Sequence, residues 1–224
     1  MIAEAVAVNY LEIIEKLPEN GILTLHGVSW GEYENLVRDV GKAPNLRIAY
    51  DQGRMQIMTL SFKHEYYAGF LNRLVDRLSF VLRIKVAFFG SATLKRQNRL
   101  KGAEPDACFY VQSTSIIGNK INLDLRIDPP PDVVLEVDIH HESLSRFHIY
   151  EGLGVPELWH YDETKLTMYQ LQEGRYEGID TSIAFPILTS EILTDFLTRS
   201  QSEGQNETLE AFEEWLSNKK NSNL

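Results

Sequence analysis

The sequence predicts an α/β fold, a central mixed sheet with helices on its faces, and three stretches predict it. In the first, residues 62–82, apolar side chains recur at helical spacing: Tyr66, Phe70, Leu71, Leu74, Val75, Leu78 and Leu82. In the second, residues 130–138, Pro-Pro-Asp-Val-Val-Leu-Glu-Val-Asp read as a short buried strand bounded by prolines. In the third, residues 155–161, 166–171 and 176–179 read as consecutive strands joined by turns at 162–165 and at Glu173-Gly174.

The remaining elements follow in chain order. Residues 1–17 are helical in part, and Pro18 and Gly21 end that helix. Ser29 and Glu32 stand at capping-box spacing before Tyr33, Leu36 and Val37, so a short helix should run to about Val40. Residues 47–50 and 55–58 alternate apolar and polar side chains around Asp51-Gln52-Gly53, a hairpin signal. The long helix over 62–82 follows, with Glu65 near its start, where a carboxylate favours the helix dipole. Strands are expected at 86–89, 92–94 and 106–111, and the prolines at 129, 130 and 131 force an extended entry to the central strand. Helices are expected over 143–150, ended by Gly152 and Gly154, and over 188–197 after Pro186. The domain reading is one domain over 1–200 with an N-terminal helical and hairpin extension. A polar linker at 201–206 and an amphipathic helix over 207–216, with Leu209, Phe212 and Trp215 on one side, fill 201–224 before a frayed tail.

Composition narrows the function. The 224 residues, 43% hydrophobic and 24% charged, are ordinary for a soluble globular protein. A single cysteine, Cys108, excludes an internal disulfide framework and fits a reducing cytoplasm. No apolar run approaches the roughly 20 residues that span a bilayer, and the N-terminus lacks the pattern of a secretory signal, so a cytoplasmic protein is expected. A net charge of -10 argues against indiscriminate coating of nucleic acid but leaves room for a local basic groove. Lys95, Arg96, Arg99 and Lys101 form the basic run nearest the acidic residues; a solvated face is the default reading of such a run.

The chemistry centres on carboxylates. Asp132, Glu136 and Asp138 all fall at even positions of the central strand, so they share one face. Buried carboxylates are paired or bound to a metal, and such a face turns to solvent or to a cation. We carry the cation forward. Asp106 begins a strand about thirty residues earlier, with Cys108 and Tyr110 on its face. An aspartate on one strand and a glutamate on its neighbour can share Mg²⁺, which wants oxygen ligands and keeps several waters. The carbonyl of Val137 could join that shell. His140, His141 and His148 lack the Cys/His spacing of a zinc site.

The order of motifs is more specific than any one of them. Glu104-Pro105-Asp106 is followed by Pro131-Asp132-Val133-Val134-Leu135-Glu136-Val137-Asp138. Arg146-Phe147-His148-Ile149-Tyr150 comes next, then Leu153-Gly154-Val155-Pro156-Glu157-Leu158-Trp159-His160-Tyr161-Asp162. Over residues 46–170 this resembles the Uma-type restriction endonuclease family, a branch of the PD-(D/E)XK superfamily. The resemblance implies a restriction-endonuclease-like core and a Mg²⁺-dependent endonuclease (Mn²⁺ substituting) whose partner is DNA and which works as a homodimer. It implies that Asp106 and Glu136 bind metal, that Glu65 is an added helix carboxylate of the shell, and that Arg146 stands in for the usual lysine. Asp138 occupies the place where that lysine usually stands. Arginine stays protonated, so it can hold a phosphate but is a poor proton acceptor. Other readings stand beside these: Asp106 as a turn residue, Glu136 as an ion-pair partner of Arg146, Asp138 as a ligand or as that partner, and Glu65 as a helix N-terminal charge. Trp159 and Tyr161 read as core, and Tyr150 as packing with its hydroxyl available to the site. The rival function is a nuclease-like module that no longer cuts and binds DNA or protein instead.

Overall fold

The computed structural model describes residues 10–40, 46–139 and 146–222. The helix α1 (Tyr10–Ile14), strand β1 (Ile22–Leu25) and helix α2 (Trp30–Val40) come first. The capping box at the start of α2 is made: the Ser29 hydroxyl accepts from Glu32 N–H at 3.3 Å, and the Glu32 carboxylate accepts from Ser29 N–H at 2.7 Å. The hairpin β2 (Leu46–Asp51) and β3 (Arg54–Thr59) turns on Gln52 and Gly53, both at positive φ, as a two-residue loop of this kind requires. The long helix α3 (Phe62–Leu82) has the bounds its periodicity predicts; Ser61 caps it by accepting from His64 N–H at 3.2 Å.

Two sheets, rather than one, organise the chain. Strands β4 (Ala87–Phe88), β5 (Leu94–Arg96), β6 (Lys101–Ala103) and β7 (Ala107–Tyr110) alternate between them, with a 3-10 turn at Gln97–Arg99. A short helix α4 (Thr114–Ile117) precedes β8 (Val133–Val137). Then come α5 (Phe147–Leu153), β9 (Glu157–Tyr161), β10 (Leu166–Gln172), β11 (Arg175–Ile179), α6 (Ser190–Ser202) and α7 (Gln205–Ser222). The six-stranded sheet has the order β11-β10-β9-β8-β7-β4 and is mixed: β8 and β9 are parallel, the other neighbours antiparallel. The five-stranded sheet, β1-β3-β2-β6-β5, is wholly antiparallel.

The alternation of β8 divides the core. Val133, Leu135 and Val137 pack with Tyr67, Phe70, Leu71 and Leu74 of α3 and with Leu197, Leu209 and Phe212 of α6 and α7. On the opposite face, Val134 packs with Tyr150 and Leu153 of α5 and with Ala49, Leu94 and Ala103 of the second sheet. The far face of that sheet, Ile48, Tyr50 and Ile57, is covered by Trp30, Tyr33 and Leu36 of α2. Helix α5 thus lies between the sheets. Trp159 and Tyr161 are core, as expected.

Several expected bounds shift. The strand expected at 92–94 forms later, at β5, and the helix expected from residue 143 is described from Phe147, since residues 140–145 lie outside the described set. His140 and His141 fall there too. The stretch 201–206 is taken up by the end of α6 and the start of α7, with Gly204 at positive φ between them. Among the described residues no helix is long and apolar enough to cross a membrane.

Candidate active site

The chain passes from β6 in one sheet to β7 in the other through Glu104-Pro105-Asp106, and this crossing positions the site. Glu104 is anchored to the five-stranded sheet: its N–H donates to the Ile48 carbonyl at 3.2 Å, and its carboxylate accepts from Ile48 N–H at 3.1 Å and the Thr93 hydroxyl at 2.9 Å. Burial raises its pKa.

Asp106 immediately precedes β7, beside β8, with its side chain fully buried. Its Oδ2 accepts from Val137 N–H at 2.8 Å and lies 2.9 Å from His64 Nε2, while its Oδ1 accepts from Arg47 Nε at 3.2 Å. Burial disfavours the charged carboxylate, but His64 and Arg47 outweigh that and hold Asp106 below its ordinary value. Burial likewise opposes the charged imidazole of His64, and Asp106 outweighs it, so the His64 value is raised.

Glu136 points to the α5 side of β8. Its Oε2 accepts from Arg146 Nη1 at 2.8 Å, and its Oε1 accepts from the Tyr150 hydroxyl. Arg146 and Tyr150 are four residues apart on one face at the start of α5, which is why both reach the same carboxylate. Burial raises the Glu136 pKa, Arg146 lowers it, and the negative charge of Asp106 raises it again; the net direction is up. Arg146 also donates to the Glu104 carbonyl at 3.3 Å, and its Nε has no acceptor among the described residues. His64 Nδ1 is similarly without a partner.

The expected site residues are therefore distributed unevenly. Asp106, Glu136 and Arg146 come together, buried. Asp138 sits just past the end of β8, half-buried, 3.9 Å from His160. Glu65 stands apart: its side chain is 55% exposed and it meets Arg47 Nη2 at 3.9 Å. Among the described residues no three His, Cys, Asp or Glu side chains converge as a metal cage. The basic run is largely engaged within the fold. Lys95 pairs with Glu34 at 2.9 Å and Lys101 with Asp51 at 2.6 Å, and Arg96 donates to the Leu125 carbonyl at 3.0 Å. Arg99 is exposed, with no ion pair to another described residue. His148 pairs with Glu151 at 2.9 Å on the surface.

Neither Arg47 nor His64 was singled out from the sequence. The signal for Arg47 is a lone arginine between Leu46 and Ile48 in a strand where 47–50 are all buried. The Glu157 of the Gly-Val-Pro-Glu run is structural: buried, it accepts from Trp159 Nε1 at 2.6 Å and from the N–H groups of Ile183 and Ala184 at 2.9 Å each.

The carboxylates of Asp106 and Glu136, with Glu104 and Asp138 nearby, are the oxygen donors a hard divalent cation takes. Each oxygen of Asp106 and Glu136, however, already accepts from Arg47, His64, Val137 N–H, Tyr150 or Arg146. Among the described residues Arg146 Nε–H is a buried donor without an acceptor.

The Uma2 family model, described as "Putative restriction endonuclease", matches residues 30–198, and the chain belongs to that family. Among solved structures, the crystal structure of "a putative nuclease belonging to DUF820" from Anabaena variabilis ATCC 29413 is similar, with TM-score 0.49 and 17% identity, over 67% of this chain and 90% of that one. A comparison with curated proteins returned no match.

Proposed function

We propose that the protein is a divalent-metal-dependent endonuclease that hydrolyses phosphodiester bonds in DNA. The observation that carries this reading is the pair of buried carboxylates, Asp106 and Glu136, on adjacent core strands of a chain in this nuclease family. Asp106 and Glu136 would hold Mg²⁺, with Mn²⁺ able to replace it and Asp138 assisting at the rim. When bound, such an ion would supply activation of a water and neutralisation of charge on the scissile phosphate.

The chain's own residues do the positioning. Val137 N–H and His64 fix Oδ2 of Asp106, and Arg47 Nε–H holds Oδ1. Tyr150 fixes Glu136 from the α5 side. Arg146 is held by Glu136 and the Glu104 carbonyl, and its Nε–H, without an acceptor among the described residues, would bind a phosphate oxygen. Being permanently charged, it orients the phosphate and accepts no proton. Arg99 is the first candidate for a DNA backbone contact, with Lys95, Arg96 and Lys101 available if their internal partners are exchanged. A two-fold homodimer would present two such sites to the two strands of a duplex.

One observation favours a second reading, a module that binds DNA or protein without cutting. Each carboxylate already faces an arginine, Asp106 with Arg47 and Glu136 with Arg146. Supercoiled plasmid, incubated at low salt with Mg²⁺, Mn²⁺ or chelator, separates the two. Metal-dependent nicking by the wild type that disappears in Glu136→Gln and Asp106→Asn supports the enzyme. Nicking unaffected by either substitution rejects this site. A wild type that binds duplex but never cuts it, with or without Arg146→Lys, supports the module.

A further inference from the structure

Arg47 lies between two carboxylates of very different exposure. It is buried on β2, on the face that carries Ala49 toward the space between the sheets. Its Nε donates to Asp106 Oδ1 at 3.2 Å, its Nη1 donates to the Leu46 carbonyl at 2.9 Å, and its Nη2 lies 3.9 Å from Glu65 Oε1. The other Asp106 oxygen is taken by Val137 N–H and His64. A cation approaching Asp106 by its remaining oxygen therefore meets the Arg47 guanidinium, and two cations on one carboxylate oxygen in a buried site repel strongly. Glu65, on the first turn of α3 and 55% exposed, is within reach of the same guanidinium.

We propose that Arg47 is a built-in counter-cation of Asp106 that a divalent ion must displace, and that Glu65 receives the released guanidinium instead of ligating the ion. The inference rests on the reading of Asp106 as a metal ligand. It makes Arg47 and Glu65 positioning residues that set the concentration of metal at which the site fills. In the resting state Arg47 neutralises Asp106.

Calorimetric titration of the full-length protein with Mn²⁺ tests this without any nuclease assay. Arg47→Gln and Arg47→Met should bind about 10- to 100-fold tighter than wild type, the range of a typical coupling between sites, while Arg47→Lys stays within about threefold. Glu65→Gln should weaken binding in the wild type and have no effect in the Arg47→Gln background, because it acts through Arg47. Wild-type binding that is lost in Asp106→Asn, with no gain in the Arg47 variants, overturns this inference and leaves the site reading standing. Equal weakening by Glu65→Gln in both backgrounds makes Glu65 a ligand and also overturns it. No binding by any of these proteins overturns both. If the Arg47 variants do not fold, the Arg47 Nε–H resonance of the wild-type protein decides. It should shift as Mg²⁺ saturates the site, and a resonance that stays in place overturns the inference.

Discussion

At the scale of single residues, the site is a set of buried charges that are safe only in company. Arg146→Ala would leave Glu136 buried without its cation, so it should lower unfolding free energy by about 3–5 kcal/mol in urea denaturation. Arg146→Lys keeps the charge and should cost clearly less. His64 gives the site a pH dependence with a definite sign. Its folded value lies above the ordinary 6.5 because Asp106 outweighs burial. The stability it contributes is thus complete below about pH 6.5 and is lost as pH rises through the higher folded value. A His64→Gln variant should show a flatter stability curve over that interval, with Asp106, Arg47 and Glu136 unchanged around it. An equally steep curve would place the titration elsewhere. Tyr33 offers a contrasting case. Its buried hydroxyl has no partner among the described residues, and a Cβ at Gly102 would come within 2.2 Å of that oxygen. Thermal melts should find Tyr33→Phe neutral or stabilising, and Gly102→Ala destabilising by about 1–3 kcal/mol through overpacking.

At the scale of elements, what was legible in the sequence was what local chemistry decides. The α2 capping box, the two-residue turn of β2 and β3, and the apolar period of α3 each act within a few residues, and each forms where the sequence places it. Gln52 nonetheless occupies a positive-φ position, at 49°. Gln52→Asn should therefore raise the melting temperature slightly, because asparagine tolerates that region better; a lowered temperature would mean the Gln52 side chain contributes more than its backbone strain costs. The second sheet was legible only in its β2–β3 hairpin and, shifted, in β5. Strands β1 and β6 are short, and β6 exists because Gly102 and Ala103 pair with Tyr50 and Ala49 about fifty residues away. The same limit hid half of the site. Arg47 and His64 reach Asp106 across 59 and 42 residues, and no spacing rule announces such contacts. Asp106, Glu136 and Arg146 could be grouped because their motifs stand in a recognisable order, and Glu65, read as an added carboxylate or as a helix N-terminal charge, stands at the edge of that group.

At the scale of the whole molecule, ten net negative charges and an internally paired basic run make electrostatic attraction to DNA weak. Arg99→Ala should leave stability unchanged and reduce the slope of log affinity against log salt by about 1, measured by fluorescence anisotropy with a short duplex. A slope that does not change removes Arg99 from the interface. The central claim concerns the place where the two sheets meet: the carboxylates brought there by β7 and β8 share a cation. Mn²⁺ binding, counted by electron paramagnetic resonance on the wild-type protein beside Asp106→Asn and Glu136→Gln, tests that claim apart from any question of substrate. The account predicts a saturable site in the wild type, lost in both variants while each keeps its fold. Equal Mn²⁺ binding by all three proteins, or none by a folded wild type, would contradict it.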